Sequence, residues 1–223
     1  MFRDVLHHPD VEEVVTLAGH DLVRSQRIGF MAYHGGGLEL MTDVIARRAA
    51  ELSGASYYGL HQPPGMEVHF PSISVDPSES DGLRRFLDHV HTVVTIHGFG
   101  RLGFFSSLLL GGQHRRLAEH IGSHLRDSLP AYNIITDLEV IPTELRGLHP
   151  RNPVNIPPGQ GVQIELPPRV RGTTPLFWDW EGPDVSPHTR SLIDGLARSV
   201  RSWIDDQGAS REMDQEPSES LRR

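Results

Sequence analysis

The 223-residue sequence contains no cysteine and no lysine, and both absences narrow the chemistry open to it. Without cysteine there are no thiol nucleophiles, disulfides, iron–sulfur clusters or thiolate-bound zinc. Without lysine there is no Schiff-base chemistry and no phosphate-loop lysine, and all 21 of the Lys and Arg positions are arginine. Any metal ion must therefore be bound by histidine, aspartate or glutamate.

Long apolar runs and basic clusters are also missing. No stretch reaches the roughly 20 apolar residues of a membrane span, and residues 1–11 lack a basic start followed by an apolar segment. A formal charge of −8, with no basic run longer than Arg-Arg, disfavours a nucleic-acid partner. We therefore expect a soluble, cytoplasmic protein without nucleic-acid or membrane partners. The sequence carries no sign of its oligomeric state, and we assume a monomer.

Strand and helix patterns alternate along the chain. Short apolar, β-branched runs are typical of buried strands, and apolar residues at helical spacing are typical of amphipathic helices. Strands are predicted at residues 27–33, 56–60, 66–70, 91–98, 104–110, 132–140 and 161–166. Helices are predicted at residues 39–52, 82–91, 113–129 and 186–205, and a long loop at 141–160.

This alternation predicts an α/β fold, namely a single three-layer domain with a mostly parallel or mixed central sheet covered on both faces. A chain of this length can bury a full core without a structural metal, so any metal is expected to be catalytic. We place the domain at residues 1–206. Residues 207–223 are polar and poor in apolar side chains, and we expect them to form a disordered tail.

Histidines stand at the ends of two predicted strands. His34 begins the segment His-Gly-Gly-Gly-Leu-Glu39, and His97 is followed by a glycine. Because ligands gather beyond the carboxyl ends of strands in α/β sheets, we expect these side chains to meet. His34, Glu39 and His97 form a His₂Glu set that suits a catalytic zinc ion, with the glycines letting the chain pass close to it. The alternative is a glycine-rich turn with a solvated Glu39, which the coincidence of two strand ends disfavours.

Glu165 is a candidate for the general base that hydrolysis requires. Its neighbours Val162, Ile164 and Leu166 are apolar, so burial of this acid has no ready structural reason, and Gln163 shares its face of the strand. An exposed position on an edge strand explains the pattern equally well. Periodicity alone leaves the two interpretations open.

Six short segments of the sequence, four of them including or adjoining the candidate site residues, occur in a fixed order along the chain. They are 32–39, 69–72 with Asp76-Pro77, 95–98, 111–112, 152–155 and 161–166, followed by arginine at 169 or 171. In this order the segments resemble the poly-γ-glutamate hydrolase family over residues 27–171, the core of the predicted domain. That family was first known from phages and is similar in fold to the zinc carboxypeptidases.

The resemblance implies one zinc ion (Zn2+) per chain, bound by His34, Glu39 and His97, with Glu165 as general base or acid. It also implies a zinc carboxypeptidase-like fold and cleavage of amide bonds between γ-linked glutamates. Pro71 departs from the family, which tends to have a threonine there, and this departure concerns the substrate rather than the metal chemistry.

An acidic polymer bound by a chain of net charge −8 requires local positive charge. Arg101, Arg169 and Arg171 lie a few residues beyond the predicted site residues and are predicted to pair with substrate carboxylates. Ordinary surface solvation is the alternative for each arginine. His69 is predicted to contact the substrate or to support the metal ligands, with a structural loop histidine as the alternative.

Two other functions stay open at this stage. One is a zinc amidohydrolase of small N-acyl amino acids or cell-wall peptides, which a substrate panel distinguishes from a polymer hydrolase. The other is a non-catalytic module that binds an anionic peptide through its arginines. The presence of all four predicted site residues argues against the second, because degenerate relatives usually lose such groups first.

Overall fold

The computed structural model describes residues 2–174, 182 and 184–215. Within these residues the strands belong to one mixed sheet, and helices precede the first strand, connect later strands and follow the last one. The strands are β1 (Glu12–Thr16), β2 (Ile28–Gly36), β3 (Ser56–Gln62), β4 (Thr92–Gly98), β5 (Ser107–Leu110), β6 (Asn133–Ile135) and β7 (Gly161–Leu166). The helices are α1 (Phe2–Leu6), α2 (Thr42–Ser53), α3 (Asp81–His89), α4 (Arg115–Ser128), α5 (Pro168–Arg171) and α6 (Pro187–Gln215).

The sheet has the strand order β1-β3-β2-β4-β7-β5-β6. Its four central strands β3, β2, β4 and β7 are mutually parallel, whereas β1 and β5 run antiparallel to their inner neighbours. The carboxyl ends of β2, β4 and β7 therefore lie side by side at one edge. The register places His97 directly opposite Glu165.

Hydrophobic clusters cover both faces of the sheet. In β2, Phe30 and Ala32 face the cluster formed with α2, α4 and α6, whereas Met31 and Tyr33 face the cluster formed with α1 and α3. Every residue of β2 from Ile28 to Gly35 is buried, as expected for a central parallel strand covered on both sides. The predicted three-layer α/β fold with a mixed sheet is thus confirmed.

Some predicted elements are shorter or absent. Residues 66–70 form no strand, because the side-chain amide of Gln62 bonds both the N–H and the carbonyl of Val68 in place of a strand ladder. The strand predicted at 104–110 begins only at Ser107, after a turn in which Ser107 N–H bonds the Phe104 carbonyl. The strand predicted at 132–140 ends at Ile135, and a turn capped by Asp137 follows.

Helix α6 begins at Pro187, one residue after the predicted start, and continues past the predicted end to Gln215. The disordered tail expected at residues 207–223 stays a prediction, and the helix runs through residues 207–215 of it. This segment is rich in helix-forming side chains, and the next proline in the sequence is Pro217. Residues 216–223 lie outside the described residues, and the domain extent of 1–206 stays a prediction. Neither α6 nor any other described helix has the length and apolar character needed to cross a membrane.

The glycines at 35–37 bring the end of β2 directly against neighbouring backbone. Gly36 has φ +72°, and a Cβ added there would lie 2.1 Å from the Gln62 carbonyl oxygen. A Cβ at Gly37 would lie 2.5 Å from the Pro63 carbonyl oxygen. The close approach that these glycines permit is therefore to β3 and the loop after it, rather than to a metal.

The substitution Gly36→Ala is expected to lower the free energy of unfolding by about 3 kcal/mol or more, through positive-φ strain and a backbone clash. Gly54→Ala is the matched control, because Gly54 has φ +71° with nothing within 4 Å of an added Cβ. Gly54→Ala therefore reports the positive-φ strain without a backbone clash, and it is expected to lower the free energy of unfolding by about 1–2 kcal/mol. Denaturant unfolding measures both variants, and equal losses would show that the backbone approach is unimportant.

Candidate metal centre

The predicted site residues lie at the carboxyl edge of the central strands. His34 lies near the end of β2, and His97 and Glu165 lie at adjacent positions near the ends of β4 and β7. Glu39 was predicted in the first turn of a helix, but it lies in the turn before α2, which begins at Thr42. This turn is closed by hydrogen bonds from Glu39 N–H to the His34 carbonyl and from the Thr42 hydroxyl to the Glu39 carbonyl.

A bulge at the end of β2 directs two consecutive side chains to the site. The pairing of β2 with β3 shifts between Ala32 and Gly35, so one extra residue is accommodated in β2. As a result both Tyr33 and His34 contact His97, with ring centroids 4.9 and 5.1 Å away. In a regular strand these neighbours would point to opposite faces.

The carboxylate of Glu39 lies between the two histidines. Its Oε1 is 2.9 Å from His34 Nδ1, and its Oε2 is 3.3 Å from His97 Nδ1. The N–H of Gly98 also donates to Oε2 at 2.8 Å, which fixes the carboxylate. One ligand atom from each of these three side chains lies within 4.8 Å of the others.

The outer nitrogens of both imidazoles have partners as well. His34 Nε2 donates to the carbonyl oxygen of Phe70 at 3.0 Å, and a carbonyl can only accept. A neutral His34 therefore presents the lone pair of Nδ1 to the carboxylate of Glu39, an arrangement that needs a proton or a cation between the two. His97 Nε2 lies 2.9 Å from the hydroxyl of Tyr33. Such outer partners orient metal-binding histidines.

Burial and mutual charge determine the protonation of this cluster. Burial opposes ionisation of Glu39, yet His97 and His34 outweigh it and hold the pKa of the carboxyl well below its usual range. Burial also acts against the charged form of His97, but the Glu39 carboxylate outweighs it and raises the pKa of the imidazole. For His34, burial prevails and lowers the pKa.

Glu165 is buried, with 4% of its surface exposed. Strand β7 lies between β4 and β5, so the alternative of an exposed edge position is wrong. Burial raises the pKa of the Glu165 carboxyl to about 7, with the His97 charge acting in the opposite direction. Gln163 donates from Nε2 to Glu165 Oε1 at 2.8 Å.

All four predicted residues line one cleft of about 850 Å3. Its walls are the loop segments 69–73 and 143–149 and the end of β4. His69 lies in the first wall, with its ring centroid 5.2 Å from that of His34. The two histidines, Glu39 and Glu165 therefore line the same cleft.

Arg171 lies behind this cleft rather than on its surface. Its Nη1 donates to the carbonyl of Leu40 at 2.7 Å, and its Nε donates to the carbonyl of Leu166 at 3.2 Å. Burial lowers the pKa of its guanidinium. Arg171 therefore supports the turn that carries Glu39, and direct contact with substrate stays a prediction.

The other two predicted arginines also lie outside the lining of the cleft. Arg169 donates to the hydroxyl of Ser106 at 2.7 Å and lies over the ring of Tyr132, 5.2 Å from its centroid. Arg101 is half exposed and forms an ion pair with Glu144, a residue that does line the cleft. A role for either arginine in substrate binding stays a prediction.

Sequence reasoning assigned no role to three residues of the site, although Tyr33 and Asn152 lie within the matching segments 32–39 and 152–155. Tyr33 was hidden by the bulge, because alternation assigns it to the face opposite His34. Arg146 and Asn152 line the cleft from within the long predicted loop at 141–160. The length of that loop was the available signal, since long irregular loops in compact domains are usually functional.

The fold has counterparts among solved structures. A bacteriophage poly-γ-glutamate hydrolase matches with a TM-score of 0.69 and 20% identity, over 90% of this chain and 91% of that one. The zinc-free form of YndL matches with a TM-score of 0.64 and 18% identity, over 89% and 91%. A Burkholderia mallei protein assigned as a carboxypeptidase matches with a TM-score of 0.52 and 11% identity, over 91% and 66%. These matches show a carboxypeptidase-like fold, and the described residues at its strand ends include a His34, Glu39 and His97 cluster that could hold a metal ion.

The sequence specifies the family within this class. The model of the poly-gamma-glutamate hydrolase family matches residues 16–183, and the chain belongs to this family. Among curated proteins, the SPbeta prophage-derived protein YoqZ of Bacillus subtilis (strain 168) is 27% identical over 143 residues. That match covers 63% of this chain and 49% of YoqZ, so the chain spans about half the length of this relative.

Proposed function

We propose that the chain is a zinc-dependent amidohydrolase that cleaves γ-glutamyl amide bonds, as in poly-γ-glutamate. The observation that carries the proposal is the convergence of His34, Glu39 and His97 ligand atoms within 4.8 Å, in the same cleft as the buried Glu165. Membership of the poly-gamma-glutamate hydrolase family supports the substrate class.

The residues fit a zinc ion by their chemistry. Two imidazole nitrogens and a carboxylate are a common ligand set for catalytic zinc, and His34, Glu39 and His97 would hold the ion. The hydrogen bond from His34 Nε2 to the Phe70 carbonyl leaves Nδ1 free to bind it. When bound, zinc supplies Lewis acidity, which polarises a carbonyl and lets water attack near neutral pH.

Glu165 moves the proton in the proposed reaction. Its Oε1 accepts a hydrogen bond from Gln163, so Oε2 is the oxygen left to take a proton from the attacking water. The same oxygen then returns the proton to the leaving amide nitrogen. In the zinc-free chain, burial raises the pKa of this carboxyl to about 7, which favours uptake of a proton from water.

Positive charge around the cleft supports an acidic substrate. Arg146 lines the cleft, and Arg101 lies next to it through its ion pair with Glu144. Because exposed ion pairs contribute little stability, substrate carboxylates can compete with Glu144 for Arg101 at small cost. We propose that Arg146, Arg101 and His69 contact the substrate.

Metal analysis and a cleavage assay on the same protein preparation test the proposal. We expect about one zinc ion per chain, release of glutamate-containing fragments from poly-γ-glutamate, and loss of this activity with a chelator. Readdition of zinc is expected to restore it. Hydrolysis of small N-acyl amino acids alone would reject the polymer as substrate. Ligand binding without hydrolysis under any divalent metal would reject the enzyme.

A further inference from the structure

A directed series of side-chain hydrogen bonds leads through the buried polar groups beside the cleft to Glu165. The Oδ1 of Asn152 accepts from the backbone N–H of Val154 at 3.3 Å. The Nδ2 of Asn152 donates to Gln163 Oε1 at 2.8 Å, and Gln163 Nε2 donates to Glu165 Oε1 at 2.8 Å. We call the side chains of Asn152 and Gln163 the amide relay. Both are buried, as is Glu165.

Backbone groups fix the polarity of the amide relay at both ends. A side-chain amide can rotate by half a turn and exchange its oxygen and nitrogen. At one end, however, the Val154 N–H can only donate. At the other end, the carbonyl of Leu145 lies 3.4 Å from Gln163 Nε2 and can only accept. The observed orientation satisfies both, so Glu165 Oε1 faces an N–H group rather than an oxygen.

The loop over the cleft holds Gln163 in place. Gly147 packs directly on its side chain, since a Cβ added there would lie 2.7 Å from Gln163 Oε1. Asn155 Nδ2 donates to the carbonyl of Gly147 at 2.7 Å and to that of His149 at 3.0 Å. The Gln163 side chain therefore has little room for another rotamer, and the orientation of its amide depends on Asn152.

We propose that Asn152 is a positioning residue for the hydrolysis: it fixes the amide of Gln163, which directs an N–H onto Glu165 Oε1 and leaves the other carboxylate oxygen free to exchange a proton. The catalytic part of this inference rests on the proposed function. The polarity of the amide relay does not, and it can be tested without turnover.

The substitution Asn152→Asp preserves the shape of the side chain and the acceptor for Val154, but it removes the donor to Gln163 Oε1. Gln163 must then reverse its amide, which places its oxygen against Glu165 Oε1 and the Leu145 carbonyl. With the full chain loaded with zinc, we expect Tm to fall by roughly 3–8 °C. We expect kcat on poly-γ-glutamate to fall about 10-fold or more, with KM and zinc content near those of the wild type.

A double-mutant cycle between Asn152→Asp and Glu165→Gln separates the effect of the amide relay on Tm from a general packing defect. In a Glu165→Gln background the amide at position 165 can donate to the reversed Gln163. In this background the decrease in Tm caused by Asn152→Asp is therefore expected to be roughly half or less of the decrease in the wild-type background. Direct repulsion between the carboxylate introduced by Asn152→Asp and that of Glu165 would give the same coupling. The substitution Gln163→Met distinguishes this repulsion from coupling through the amide relay. Methionine has a similar length but no amide, so coupling through the relay disappears in that background, whereas direct repulsion persists.

Three results would overturn the proposal: wild-type Tm and kcat for Asn152→Asp, an equal loss of Tm in both backgrounds at position 165, or coupling that persists with Gln163→Met. Failure of the proposed function has a different signature. If the zinc-loaded wild type hydrolyses no γ-glutamyl substrate, the enzyme assignment fails, while the Tm cycle still decides whether Asn152 orients Gln163.

Discussion

Replacing Glu165 by glutamine is expected to leave zinc binding intact and to lower kcat by about 100- to 10,000-fold, the usual contribution of a general acid–base group. The amide retains the shape and the acceptor for Gln163 but cannot take a proton from water. Zinc content and kcat are measured on the same preparation. Glu139→Gln is the matched control, because Glu139 is an exposed glutamate outside the cleft lining. Unimpaired turnover in Glu165→Gln would contradict the proposed mechanism.

The same variant has an expected effect on stability. Burial raises the pKa of Glu165 from its ordinary 4.5 to about 7, so the folded state favours the protonated carboxyl. The resulting stability is fully present below about pH 4.5 and is lost as the pH rises through 7. Its full size is about 3 kcal/mol. In zinc-free protein, Glu165→Gln is therefore expected to gain stability relative to wild type between pH 5 and pH 8. Denaturant unfolding at both pH values measures this difference.

The parts of the site that follow from strand periodicity were predictable from the sequence. An apolar run that ends in histidine predicts both the strand and the location of the imidazole, because carboxyl ends of parallel strands meet at one edge. This reasoning brought His34 and His97 together correctly. The segment 161–166 likewise predicted β7, although its burial on both sides depends on neighbouring strands that are distant in sequence.

The parts that depend on local backbone irregularity were not predictable. A bulge in β2 turns the side chains of Tyr33 and His34 to the same site. A closed turn rather than a helix carries Glu39. The side chain of Gln62 replaces a predicted strand by bonding Val68. In each case an inserted residue or local hydrogen bonds outweigh the periodic pattern.

The second large effect is expected from Glu39→Gln, because Glu39 contacts both histidines. Its two oxygens lie 2.9 and 3.3 Å from the Nδ1 atoms of His34 and His97. A glutamine must turn its NH₂ group towards one of these nitrogens and cannot supply the negative charge. We expect zinc affinity to fall by more than about 100-fold and hydrolysis to fall with it.

Competition against a chelating dye measures the zinc Kd of Glu39→Gln, and Glu51→Gln on the exposed face of α2 is the control. Unfolding of the zinc-free protein gives an independent readout. The neighbouring imidazoles hold the pKa of Glu39 below its usual range despite burial, so the stability it contributes is present above about pH 4.5 and is lost as the pH falls. Glu39→Gln lacks this contribution and is expected to be less stable than wild type at pH 7, with the difference narrowing in acid. A wild-type zinc Kd in this variant would mean that the ion binds elsewhere, since the two histidines would then lack their shared carboxylate.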